Sequence, residues 1–256
     1  MNYATATLAW FRAWGRAGLF GFAALAAALS PSAYTRRTRA LAMKQLYFGA
    51  WQVLPGFTAL AALLSLVVIQ VTITLARGYG LAQFALELVF RAVVLELVPL
   101  LAAIYVALRS GAAIVTEVAM MRVSGELDEL LESHIDPYER EFVPRIAASA
   151  ISVFALTIVS CSVVMVIAYL VMYGDNPSGF GEYTRTMARV FSPTAISAFM
   201  VKSLAFGAVV AAIPIAAGLD ATRDPKSAPV AVMGGMVRLF VALVLIELAS
   251  LAFKYV

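Results

Sequence analysis

VLPGFTALAALLSLVVIQVTITLA, residues 53 to 76, holds 24 positions without one charge. IAASAISVFALTIVSCSVVMVIAYLVMY, residues 146 to 173, does the same over 28. A helix needs about 20 mostly apolar residues to cross a hydrocarbon core about 30 Å thick. Each stretch is therefore read as a transmembrane helix. Three more follow outward from these: 84–113, interrupted by Glu87, Arg91, Glu96 and Arg109; 195–217, which carries only Lys202; and 229–253, which carries Arg238 and Glu247. The expected fold is an all-α polytopic membrane protein of about five spans in a single membrane domain.

Composition agrees, since 62% of the 256 residues are apolar and 13% charged, with a mean hydropathy of +0.90. A soluble domain is nearer half apolar and a quarter charged, so most of this surface must face lipid. Cys161 sits in an apolar run and His134, the only histidine, in a charged loop. Neither a disulfide framework nor a Cys/His metal cluster can be built from them, so no metal and no cofactor is expected. Met1 to Ala9 lacks the basic start of a secretory signal, and the first span is expected to direct insertion.

Residues 1–50 form an N-terminal region in which 17–34 is uncharged but alanine-dominated, with Arg12, Arg16, Arg36, Arg37 and Arg39 around it. Basic flanks and weak hydrophobicity suit a helix lying in the interface, with a sixth span as the alternative. Placing the N-terminus in the cytoplasm puts these arginines, Arg122, Arg140 and Arg145 on the inner side, as the positive-inside rule favours. The loop between the second and third spans is then cytoplasmic.

That loop, SGELDELLESHIDPYEREFVPR from Ser124, reads as a short acidic amphipathic helix. Leu127, Leu130 and Leu131 recur at helical spacing, Glu126, Asp128, Glu129 and Glu132 take the other faces, and Ser124 is placed to cap it. Asp136-Pro137 ends it, because a residue before proline is pushed out of the helical region. On these grounds alone it is a loop helix packing its leucines on its own bundle.

Intramembrane charges carry the other signal. Arg91 and Arg109 are 18 positions apart, roughly 27 Å at 1.5 Å per residue, so each can reach an opposite interface. Glu87 lies one turn from Arg91 as an ion-pair partner. Glu96 lies nearer mid-membrane and must face the bundle interior, a partner helix or water. Pro99 behind it removes a backbone donor, and a kink there would open a polar gap. Lys202 and Glu247 lie at matching depths in the fourth and fifth spans and are expected to pair.

The wording of residues 87–145 resembles the MlaE family of ABC permeases. The matching residues are Glu96-Leu97-Val98-Pro99-Leu100-Leu101, Arg109-Ser110-Gly111-Ala112-Ala113, Glu117, Met121-Arg122-Val123, Glu126-Leu127-Asp128-Glu129-Leu130, Ile135-Asp136-Pro137 and Val143-Pro144-Arg145. In place of the family's glycine-rich, threonine-containing motif before the last helix stands Gly218-Leu219-Asp220-Ala221-Thr222-Arg223-Asp224-Pro225, which marks a variant member. The resemblance implies that 122–138 is a coupling helix contacting a cytoplasmic ABC ATPase through Glu126, Leu127, Asp128, Leu130, Leu131 and Asp136. The resemblance further implies a homodimer of permease chains in the bacterial inner membrane, a periplasmic MCE-domain partner and phospholipid as cargo. Apart from the resemblance, the intramembrane charges make Glu96, Pro99 and Arg109 the candidates for a lipid path or gate.

The chain has no G-x-x-x-x-G-K-[ST] phosphate loop, so ATP hydrolysis is expected in a separate subunit and not in this one. An intramembrane lipid phosphatase or protease is disfavoured by the single histidine and by the lack of G-x-S-x-G and H-E-x-x-H. A non-transporting membrane scaffold is the remaining alternative. Nothing in the pattern points to nucleic acid.

Overall fold

The computed structural model describes residues 51–133, 136–222 and 228–255. The expected interfacial helix at 17–34 lies outside them. The described residues are almost all helical, with no strand among them, and five helices are long and apolar enough to cross a membrane. The chain is an all-α polytopic membrane protein. In order, α1 is Leu54–Gly78, α2 is Phe84–Ser124, α3 is Glu126–Glu132, α4 is Val143–Tyr173, α5 is Phe180–Val190, α6 is Pro193–Leu219 and α7 is Ala228–Tyr255. Helices α1, α2, α4, α6 and α7 are the spans. The short helices mark the two ends of the bundle, one carrying α3 and the other α5.

The spans run longer than expected, most of all α2, which continues past residue 113 to Ser124 as 41 residues. Nothing between 113 and 124 breaks a helix, and the first stop is Gly125 at φ +81°, a left-handed conformation that glycine adopts without a Cβ clash. At 1.5 Å per residue α2 measures about 60 Å, twice a hydrocarbon core. Its last turns, with Glu117 and Arg122, exceed the length that a crossing requires. Helix α4 is preceded by a π-helical turn, Tyr138–Phe142, so its helical path starts well before Ile146.

Ser124, expected to cap α3, instead ends α2 and donates its hydroxyl hydrogen to the Met121 carbonyl at 3.2 Å. The Gly125 carbonyl accepts from the amides of Asp128 and Glu129, both at 3.0 Å, so the turn at Gly125 starts α3. Asp136, expected to end that helix, begins the next one: its carboxylate accepts the Tyr138 amide at 2.8 Å. The physical reason is shared, since short polar side chains bond to whichever backbone group the local turn presents.

Three apolar clusters hold the bundle. At its middle all five spans meet through Phe57, Ala103, Val106, Leu156, Phe206, Val210 and Leu243. Toward the α5 end, Ile69, Phe90, Val94 and Val164 pack with Tyr183 of α5. Toward the α3 end, Val118 and Met121 of α2, Phe142, Val143 and Ile146 around the start of α4, and Ala211 and Ile215 of α6 enclose Leu127. Helices α4 and α6 cross very closely at Gly207, where an added Cβ would stand 2.5 Å from the Ala150 Cα. Small residues at such crossings let backbones approach, and packing rather than hydrophobic expulsion drives association in lipid. Leu63, Val67 and Val71 of α1 and Val237, Val244 and Leu248 of α7 point outward as an apolar surface.

Pro99 sits just after a π-helical segment, Phe90–Leu97. In that segment the Val98 amide bonds five residues back to the Val93 carbonyl. The next bond in the register would run from Pro99 to the Val94 carbonyl, and proline has no hydrogen to give. Cys161 of α4 supplies it, its Sγ donating to the Val94 carbonyl at 3.3 Å. The expected local disturbance at Pro99 thus takes the form of a π segment, a device common at functional positions in helices. It holds Glu96.

Candidate functional site: a buried charge network and an acidic end helix

Four ionisable side chains from three spans converge in the apolar bundle. The Glu96 carboxylate of α2 is bonded by the Lys202 ammonium of α6, and by Lys254 of α7 at 2.7 Å. Glu247 Oε2 of α7 lies 3.3 Å from Lys202 Nζ, within ion-pair reach but without a hydrogen bond. Lys202 is only 5% exposed, which matters because an isolated buried ammonium would shed its charge rather than stay ionised. Two carboxyl groups face two amines, so their formal charges balance and each member depends on the others.

Depth explains why these residues meet. Lys202 is nine residues from the start of α6 and Glu247 eight from the end of α7, about 12 to 14 Å from the same end of the bundle at 1.5 Å per residue. The two helices are antiparallel neighbours, so equal depth puts the side chains side by side. Lys254, one residue from the end of α7, turns its long stem back toward Glu96, the reverse of the usual reach toward water. Sequence reasoning singled out Glu96, Lys202 and Glu247 but missed Lys254, whose place at a helix end reads as an interfacial anchor.

Arg109 does not join this network. It is exposed, and its Nη2 donates to Gln52 Oε1 at 3.0 Å, thirteen residues from Glu96. Arg91 bonds Glu87 at 2.9 Å, and Glu87 also meets Arg189 of α5 at 3.5 Å, a part-buried cluster at the α5 end.

The second candidate is α3, at the tip of the α2 extension. Glu126, Asp128, Glu129 and Glu132 are exposed, Leu130 is half-buried, and Leu127 is buried at 8% exposure in its own bundle. Expected among the docking residues, Leu127 instead seats the helix. Leu131 lies on α3, with its side chain outside the described residues. Beneath α3, Arg145 of α4 forms a two-pronged bond to Glu117 of α2, at 2.8 and 3.0 Å, with Glu141 Oε2 at 3.5 Å. Both residues belong to the stretch that carries the family resemblance, yet their pairing was not anticipated. An arginine beside an apolar run needs an acid, and that signal alone pointed toward one.

The chain as a whole is similar to known proteins. The permease MlaE family model matches residues 42–253. A probable ABC transporter permease protein of Rickettsia conorii is 27% identical over 83% of this chain and 80% of its own length. Another from Synechocystis sp. is 30% identical over 57% of each chain, so the match spans little more than half of that relative. The chloroplastic protein TRIGALACTOSYLDIACYLGLYCEROL 1 of Arabidopsis thaliana is 30% identical over 57% of this chain and 43% of its own. With the family pattern running through four of the five spans and most of the fifth helix, α1 included, this chain belongs to the MlaE family of permeases.

Proposed function

We propose that the chain is the membrane-embedded permease subunit of an ABC system that moves phospholipid or a similar lipid between the inner membrane and a periplasmic MCE-type carrier. The N-terminus is cytoplasmic, and two copies pair in the working assembly. Family membership supports the transport class. The lipid reading is supported by a largely apolar bundle that also holds a charge-balanced network, which suits an amphiphilic cargo, and by a relative named for a galactolipid.

The observation that carries the coupling role is the acidic face of α3, held out at the end of α2 and turned to solvent. Glu126, Asp128 and Glu129 offer carboxylates to a groove with a basic rim, fixing register and speeding encounter. Half-buried Leu130 contributes an apolar edge. An ATPase docked there would act on α2, α4 and α6 together, because all three line the cluster that holds Leu127. Glu96 and Pro99 are the residues of α2 proposed to respond, by exchange of carboxylate partners among Lys202 and Lys254.

The test is purification from native membranes, with and without Glu126→Lys/Glu129→Lys. An ABC ATPase and phospholipid should accompany the unaltered protein, and the reversed charges should release the ATPase while the permease still folds. Retention of the ATPase by the variant would sink the assignment of α3. A complex that binds partners without ATP-dependent lipid movement would favour a scaffold.

A further inference from the structure

We infer that Glu117 and Arg145 are positioning residues which join the α2 extension to the first turn of α4 as one lever, so that displacement of α3 moves both spans together. The inference rests on the proposed coupling role of α3 and adds to it the residues that transmit the motion.

Arg145 is 8% exposed, so its guanidinium needs an acid. Glu141, one turn earlier on the same helical path, approaches it at 3.5 Å, yet the better partner comes from another helix. Both Glu117 oxygens accept, at 2.8 and 3.0 Å, across 28 residues of sequence. A two-pronged arginine–carboxylate contact fixes sliding and rotation together, which a point-charge lysine cannot do. The Glu117 side chain is 58% exposed, so solvent screens the pair from one side and weakens its Coulombic contribution. Its geometric constraint is the larger contribution.

The surroundings complete the lever. On the apolar side Val118 and Met121 of α2 and Val143 and Ile146 of α4 share one cluster, and Leu127 is the peg that α3 sets into it. Helix α6 presses on the same part of α2, where a Cβ added at Gly218 would stand 2.6 Å from the Val118 Cβ. A push on α3 therefore reaches α2 and α4 through Leu127, and the Glu117–Arg145 fork prevents the two from moving apart. Without the fork α3 can still dock, but its motion divides between helices that slide separately.

The experiment uses the intact complex purified with its ATPase and reconstituted in phosphatidylethanolamine/phosphatidylglycerol vesicles containing a fluorescent phosphatidylethanolamine. Lipid moved per ATP hydrolysed is compared for the unaltered protein, Arg145→Lys, Glu117→Gln and the swap Glu117→Arg/Arg145→Glu. The single variants should keep the ATPase bound while lipid moved per ATP falls at least about fivefold, the lower range of coupling effects. The swap should recover most of that loss. Unchanged coupling in the single variants overturns the positioning role and leaves the permease reading standing, as does a swap that folds but stays uncoupled. Failure of all three variants to accumulate overturns it too, because the pair is then needed for folding alone. An unaltered complex that binds no ATPase or moves no lipid instead refutes the proposed function.

Discussion

Replacing Lys202 with methionine tests the charge network most directly. Methionine keeps the unbranched stem and deletes the ammonium that Glu96 and Glu247 share. Glu96 then retains Lys254 at 2.7 Å, but Glu247 loses its only cation among the recorded ion pairs of the described residues. Removing one partner of a buried pair costs about 3 to 5 kcal/mol, because the remaining charge stays desolvated. Glu247→Leu should cost less, about 1 to 2 kcal/mol, since both lysines still contact Glu96 and the excess is a single positive charge. The double variant Lys202→Met/Glu247→Leu leaves one neutral pair, Glu96–Lys254, and should lie close to the unaltered protein. In a chain of this size each kcal/mol moves Tm by about 2 to 4 °C, so Lys202→Met should lower it by about 10 °C. The assay is thermal unfolding of the detergent-solubilised protein at fixed heating rate, because membrane proteins unfold irreversibly and apparent Tm depends on rate. Coupled charges are non-additive. A double variant as unstable as the sum of the two single changes would refute the network as a mutually compensating unit.

Cys161→Ala should cost about 1 to 2 kcal/mol by leaving the Val94 carbonyl unpaired in the bundle, whereas Cys161→Ser keeps a donor and should be milder; the same thermal assay separates them. Leu127→Ala should destabilise the seating of α3 by about 2 to 5 kcal/mol, read as faster proteolysis near residue 130 and weaker ATPase co-purification, although the buried side chain has no surface to offer a partner. Burial pushes the Tyr183 phenol in α5 up to about 12, above its ordinary value near about 10. The folded state therefore holds that proton more tightly, and the stability it contributes is complete below pH about 10 and lost as pH rises through about 12. Tyr183→Phe should flatten thermal stability across that window; an unchanged slope would show that another group titrates there.

The sequence by itself determined that this is an all-α membrane protein with spans near their observed places, because hydrophobic length and charge-free runs are local properties. Matching depths likewise made Lys202 and Glu247 readable as neighbours, since antiparallel helices of known length turn sequence position into height in the membrane. The acids of α3 were legible for the same reason. What only the tertiary structure decided was which charges share a partner. Glu96 meets Lys202 and Lys254 across 106 and 158 residues, and a π segment shifts its face away from the 100° phase that a regular helix would give it. Leu127 faces inward because α4 and α6 supply a pocket there, a fact no periodicity within seven residues can contain. Glu117 and Arg145 were both visible as charges, but their union depends on α2 running on past residue 113 to lie beside the start of α4. Helical periodicity fixes the faces a helix has, while the neighbours fix which face is the inside.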